Sequence, residues 1–297
     1  MTGRILRVLA FSLFLLSALL AGVSGGAERI VSLYPGHTDN VAALGGAALL
    51  VGLSENEDPE LLSAFPGLSD LPRLSPKTGA EAVLALKPDL VLSRSLVDRM
   101  NPNLTEVLRR AGVQVEVLDP PGWDDFPDYL RKLAALTGLD HEAGVRRLEH
   151  VRSELAAEAG HRGASAGQSG PKRVFVEATA RELHTCSPGS WAAHMVELAG
   201  GANAAGAAAP LREGSALAPW GLERVLRTLA EGLDVYLVQQ GVMNASTSAD
   251  VRARSWASAL DRSGARVAEI PESFLSRPSL LGLERGGRML LDIFYGE

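Results

Sequence analysis

The chain has 297 residues, 46% hydrophobic and 22% charged, with a formal net charge of −6. That length buries an ample core in one piece or two, and the absence of any Lys/Arg run argues against a nucleic-acid surface. A single cysteine, Cys186, excludes an intramolecular disulfide and reads as a small buried hydrophobe.

Arg4 and Arg7 precede the apolar stretch VLAFSLFLLSALLAGV (8–23), and Gly25 and Ala27 follow at the −3 and −1 spacing of a cleavage site. This pattern predicts a secretory leader over residues 1–27. The stretch is short for a membrane span of ~20 residues, and no cysteine lies at 20–25 to carry a lipid. Loss of the leader takes the net charge from −6 to −8.

Strands and helices then alternate. RIVSLY (29–34) is a strand, TDNVAALG (38–45) a helix stopped by Gly45, LLVGLS (49–54) a strand, GAEAVLAL (79–86) a helix and DLVLS (89–93) a strand. NPNLTEVLRRAG (101–112) has the Asn-Pro start and Gly end that helices prefer; VQVEVLD (113–119) is a strand and DDFPDYLRKLAALTG (124–138) a helix. DHEAGVRRLEHVRSELAAEAGH (140–161) puts Leu148, Val151 and Leu155 on one face and predicts one long helix with Asp140 as N-cap. RGASAGQSGP (162–171) lacks an apolar period and reads as a Gly/Ser/Ala linker. The alternation restarts with KRVFVEA (172–178), a strand, then helices at 190–201 and 221–232, a strand at 234–240, a helix at 249–264, a strand at 265–270 and a closing helix at 280–296. The expected fold is α/β: two Rossmann-like lobes with parallel sheets, 28–138 and 172–297, joined by a segment at 139–171 made of the long helix and the linker.

One unit occurs twice. TGAEAVLALKPDLVLSR (78–94) and WGLERVLRTLAEGLDVYLVQQ (220–240) each run Gly, one residue, an acid, Val-Leu, a turn, then Asp and an apolar strand. The acids are Glu81 and Glu223, and an acid in a helix's first turn is favoured by the dipole by ~0.3–1 kcal/mol.

In open parallel sheets ligands bind beyond the carboxyl ends of strands, and a cleft between two such sheets is a preferred site. The loops that follow the strands carry Tyr34, His37, Arg94, His184, Phe274 and Arg277, and Trp220 precedes the second unit. The two arginines suit a ligand with carboxylates. Trp191 falls within a helical pattern and reads as core. GASAG (163–167) matches G-x-S-x-G, but an elbow needs a strand before it and a helix after it, so no nucleophile is assigned. None of the six histidines shows a metal-binding pair spacing.

RIVSLYPGHTDNVAALG, GAEAVLALKPDLVLSR, KRVFVEA, HTCSPGSWAAHMVELAGGAN, PWGLERVL and SFLSRPSLLGLERGGRML together resemble the periplasmic binding proteins of cobalamin, haem and iron-siderophore ABC importers, over essentially the whole mature chain. The resemblance implies a soluble periplasmic binding component rather than an enzyme, a monomer that holds a metal chelate as cargo without a cofactor of its own. It implies a rigid helical spine, modest closure, and an ABC permease dimer in the inner membrane as partner, docked through Glu81 and Glu223. Trp220 and Phe274 match the family's aromatic contacts and His184 stands where an aromatic is common, while Tyr34, His37, Arg94 and Arg277 are read from their own chemistry as contacts to an anionic chelate or a haem carboxylate. Where cobalamin-binding members carry Asp-Tyr-Pro after the second strand this chain has EDPEL (57–61), and the Trp before the first unit is replaced by RLSPKTG (73–79); a smaller or more anionic ligand is expected. Two competing readings stay open beside it. One is a zinc- or manganese-type metal-ion binding protein using His37, His184 and an acid from 55–58; the other is an exported sensor or adaptor domain without transport.

Overall fold

The computed structural model describes residues 26–296. The expected leader, except for Gly26 and Ala27, lies outside them. Among the described residues no helix is long and apolar enough to cross a membrane.

The first half forms a five-stranded parallel sheet in the order β3-β2-β1-β4-β5, from β1 (Ile30–Ser32), β2 (Leu50–Ser54), β3 (Arg73–Leu74), β4 (Leu90–Ser93) and β5 (Gln114–Val117). The second half forms a four-stranded parallel sheet, β11-β10-β6-β8, from β6 (Lys172–Glu177), β8 (Gly201–Asn203), β10 (Val235–Gln240) and β11 (Arg266–Pro271). A short antiparallel pair, β7 (Thr185–Cys186) with β9 (Leu217–Ala218), sits beside it. Strands such as LVLS in β4 are buried on both faces, as a sheet covered by helices requires.

The order β2-β1-β4-β5 and the order β8-β6-β10-β11 are the same topology, so the repeated sequence unit is a repeated structural unit. The same device starts both central strands. The Asp89 carboxylate accepts from the Arg29 amide at 3.1 Å, and the Asp234 carboxylate from the Arg173 amide at 2.8 Å. The Arg29 guanidinium donates to Leu86 O and Lys87 O, and that of Arg173 to Glu231 O. Each arginine thereby ties off the carbonyls at the end of the preceding helix, a common use of a cation at that place.

The long helix runs His141–Ser165, 25 residues and about 37 Å. The Asp140 carboxylate caps it by accepting from the Glu142 and Ala143 amides. It continues past the expected end at residue 161, because Gly163, Ala164 and Ser165 still make helical turns; GASAG therefore ends a helix, and only 166–171 remain as connection. The first helix begins at Pro35 and continues through a π turn, Ala42–Gly46, which Gly45 breaks at φ 92°. The helix expected over 249–264 splits into Ser248–Arg252 and Ala257–Ser263, and an unpredicted helix, Ser95–Met100, fills the loop after β4.

The lobes are not merely held by the long helix. One apolar cluster runs from Ile30, Leu53 and Leu90 of the first sheet through Leu130, Leu148, Leu155, Trp191 and Leu283 to Val174 and Leu237 of the second. The closing helix, Leu280–Tyr295, packs along the long helix and adds the ion pairs Arg147–Glu284, Arg288–Glu154 and Arg162–Asp292. Exposed pairs contribute little each, so the apolar seam carries the rigidity.

Candidate functional site

The carboxyl ends of β1, β2, β4 and β11 converge where the lobes meet. Tyr34 follows β1 in an extended conformation that places it before the helix Pro35–Val41. Arg94 follows β4, and its guanidinium carbon lies 4.7 Å from the Tyr34 ring centroid. From the other lobe, the segment after β11 brings in Ser273, Arg277 and Pro278. Direct bonds cross the seam: Asn40 Nδ2 donates to Pro278 O at 3.1 Å, and the Leu280 amide donates to Asn40 Oδ1 at 3.0 Å. Ser273 Oγ donates to the Asp58 carboxylate, and Arg277 Nη1 lies 3.9 Å from Asp39 Oδ2.

These bonds bring together two acids: Glu57, one of the acids at 55–58 considered for a metal site, and Asp39, which the sequence reading missed. Asp39 is 3% exposed, and burial lifts its pKa to about 8, with Arg277 opposing the shift and Glu57 and Asp58 adding to it. Glu57 accepts from Thr38 Oγ1 at 2.7 Å, yet burial still lifts it to about 7. Asp39 belongs to a helix in which every residue is buried, which no helical period reveals.

The sequence-predicted residues divide. Tyr34, Arg94 and Arg277 meet at this floor; burial pushes the Tyr34 phenol up to about 12 against the pull of Arg277 and Arg94. His37 is corrected from ligand contact to structural core. It is fully buried, its Nε2 lies 3.1 Å from Ser93 O and its Nδ1 2.7 Å from Tyr129 Oη. A carbonyl can only accept, so Nε2 carries the proton and Nδ1 accepts from Tyr129. Burial holds its pKa near 4, so the ring stays neutral. The two-histidine metal site is not formed: both His37 nitrogens are occupied, and among the described residues no group of three His, Cys, Asp or Glu side chains is placed to hold a metal ion. Phe274 is also corrected. It is 6% exposed within the lobe-spanning core, because the short helix Glu272–Leu275 turns its apolar side onto the closing helix.

His184 sits in the loop after β6, with Nε2 3.2 Å from Glu182 Oε2. Glu182 and Leu183 have φ of 63° and 48° in that loop, a left-handed backbone costing on the order of 1–3 kcal/mol per non-glycine residue. Trp220 is half-buried against the second lobe's own core, with Arg224 over its ring at 5.3 Å. Trp191 and Cys186 are core, as read. Glu81 and Glu223 are both exposed, each in the first turn of a helix, Ala80–Ala85 and Leu222–Ala230. Those helices run antiparallel to the strands they precede, so both acids stand at the carboxyl edge of their sheets. Glu223 accepts from Arg227 at 3.1 Å.

Burial of these groups sets a pH dependence. Asp39 and Glu57 hold protons in the folded state at pH values where the unfolded chain has lost them, so their contribution is lost as pH rises through about 7 and 8. His37 has the opposite sign: the unfolded chain takes a proton below pH 6.5 that the folded chain refuses until about 4. The melting temperature of the ligand-free protein should therefore rise as pH falls from 9 to 6.5, and Asp39→Asn should flatten that slope. Thermal melts across this range check it, and a flat wild-type profile would contradict it.

Two α/β lobes, a helical spine and a polar floor at the carboxyl ends of both sheets define a two-lobe binding protein of the helical-backbone kind. A family model described as periplasmic binding protein matches residues 30–251, and the chain belongs to that family. A vitamin B12-binding protein of Yersinia pestis (strain Pestoides F) is 29% identical over 193 residues, 64% of this chain and 64% of that protein, so the match spans somewhat less than two thirds of the relative's length. Among solved structures, a possible iron-binding periplasmic solute-binding protein of Staphylococcus epidermidis aligns at TM-score 0.67 and 19% identity, over 91% of this chain and 99% of that one. The vitamin B12 binding protein of Vibrio cholerae aligns at 0.59 and 22% over 91% and 99%, and a haem binding protein of Pseudomonas aeruginosa at 0.66 and 20% over 91% and 93%. The relatives are binding proteins, named as periplasmic in the solved structures.

Proposed function

We propose that this chain is the exported, periplasmic binding component of an ABC importer, capturing a corrinoid-, haem- or ferric-siderophore-like chelate as cargo and delivering it to a permease dimer. The observation that carries the reading is the cleft floor. Tyr34, Arg94 and Arg277 from the carboxyl ends of both sheets meet there, in a chain whose relatives are named for vitamin B12 and whose structural neighbours include haem binders. His184 and Trp220 complete the ligand contacts in this reading, with 28–138 and 172–297 as the two working lobes and 139–171 between them.

The absorption spectrum of protein purified from its own periplasm tests the cargo: a corrinoid or haem carries strong visible bands. Docking is tested by substituting Glu81 and Glu223 with Ala. Their exposure and separate lobes predict independent effects, roughly tenfold weaker permease binding for each and about a hundredfold for both. Unchanged binding and uptake in the double variant would favour a sensor or adaptor that does not engage a transporter.

A further inference from the structure

The two repeats keep another feature besides their acids. β4 and β10 hold the same place in the two sheets, and the segment after each leaves large apolar side chains in water. In the helix Ser95–Met100, Leu96 and Met100 stand one turn apart on one face, 41% and 47% exposed, while Val97 is buried. In the turn 241–244, Val242 is 88% and Met243 51% exposed. Neither segment is loosely held. Asp119 accepts from the Ser95 amide at 3.0 Å, Asp98 from Thr105 Oγ1 at 2.8 Å, and Thr78 O from Asn101 Nδ2 at 3.0 Å. In the turn, Gly241 and Asn244 exchange backbone bonds at 2.9 and 3.1 Å, and Asn244 Nδ2 donates to Glu177, the acid that Arg254 grips. A lone exposed hydrophobe is ordinary. A pair at the same place in both repeats, on anchored backbone, marks a preorganised contact surface.

Position and charge select the partner. Asn101 ties the end of the first segment to Thr78, three residues before Glu81, and the exposed Leu222 directly precedes Glu223. Apolar knob and acid therefore share the carboxyl edge of each lobe. A membrane surface with anionic head groups would repel the acids. A dimeric protein with a cation beside an apolar socket on each subunit meets both features, and meets them twice. We infer that Leu96 with Met100, and Val242 with Met243, are two apolar anchors that seat in equivalent sockets of the permease dimer. This rests on the importer reading above and assigns two roles within docking. Charge mainly sets how fast partners meet, whereas desolvated apolar contacts set how long they stay together. Glu81 and Glu223 steer the encounter; the anchors hold the complex.

Binding of the fluorescent, ligand-free mature chain to spheroplasts of its own cells reads the anchors separately from the cargo. Leu96→Ser with Met100→Ser, and Val242→Ser with Met243→Ser, should each dissociate at least about tenfold faster. Their association rate and its salt dependence should stay as in the wild type. Glu81→Ala with Glu223→Ala should instead slow association about tenfold or more and flatten its salt dependence. The four anchor side chains are exposed, so melting temperatures of the anchor variants should match the wild type.

Cross-linking supplies a second readout. A photoreactive phenylalanine in place of Met100, Met243 or the exposed Ala82, beside Glu81, should join one and the same polytopic membrane protein. Wild-type dissociation of both anchor variants, while the acid variant binds poorly, overturns the inference and leaves the importer reading standing. Capture of different proteins from positions 82 and 243 also overturns it. So does equally strong wild-type binding to vesicles of the extracted lipids, which would seat the anchors in lipid. Equal binding by every variant, or none by the wild type, ligand-free or as purified, overturns both readings.

Discussion

Arg254→Ala should destabilise the second lobe by about 3–5 kcal/mol, the usual result of removing one partner from a buried ion pair. Its partner, Glu177, ends β6 with no exposed surface. The guanidinium grips that carboxylate through two nitrogens, Nη2 to Oε1 at 2.8 Å and Nη1 to Oε2 at 2.5 Å. Tyr236 Oη donates to Oε2, and Asn244 Nδ2 to the backbone carbonyl and Oε1 of the same residue. Truncating Arg254 leaves the carboxylate buried with two neutral donors. Glu177→Gln removes the charge along with half of the pair and should cost less; Arg254→Lys should fall between, because an ammonium cannot make the two-pronged contact. Urea melts with an unchanged m-value would show the ordering. A midpoint for Arg254→Ala equal to the wild type would mean that the pair adds nothing. Asn244 also anchors the turn 241–244 at the carboxyl end of β10, through Gly241 and Asn244 backbone bonds. The same variant should therefore loosen the rim of the cleft.

That pair shows where sequence reasoning reaches its end. Alternation of β-branched strands with capped helices was readable because each signal is local: Asp140 caps a helix from the residue before it, and Gly45 stops one with a positive φ. The duplication was readable because Glu81 and Glu223 keep their offset from Val-Leu, and the matching strand orders of the two sheets agree with it. The floor was readable only in its Tyr34, Arg94 and Arg277, and its pairing of acids with those arginines was not. Asp39, Glu57 and Arg277 lie far apart in the chain and acquire their chemistry only when the closing helix crosses onto the first lobe. His37 and Phe274 were misread for the complementary reason. A histidine and a phenylalanine after strands look like ligand contacts until Tyr129 and Ser93 occupy the one and the interlobe core encloses the other. The linker was overestimated because Gly, Ser and Ala in 162–165 lack an apolar period, whereas continuing a formed helix needs none.

Gly286→Ala should lose stability by about 1–3 kcal/mol, although Ala is the better helix former by about 1 kcal/mol. The closing helix meets the helix Glu272–Leu275 at backbone distance: a Cβ on residue 286 would stand 2.0 Å from the Phe274 carbonyl oxygen, and one on residue 282 would stand 2.6 Å from that of Ser273. A carbonyl fixed in a helix cannot swing away as a side chain can. At Gly287 the obstacle is the end of the Leu155 side chain, at 2.3 Å, which can change rotamer, so Gly287→Ala should cost less. Gly160, in the long helix with nothing within 4 Å of its Cβ position, supplies the opposite sign: Gly160→Ala should gain about 0.5–1 kcal/mol. The three melts together separate steric crowding from helix propensity, and a Gly286→Ala variant as stable as Gly160→Ala would refute the close approach. The consequence reaches the site, because the helix displaced by residue 286 leads directly into Arg277. Relief of the clash moves Ser273 and Arg277 away from Asp58 and Asp39, so Gly286→Ala should also weaken ligand binding, whereas Gly160→Ala should leave it unchanged.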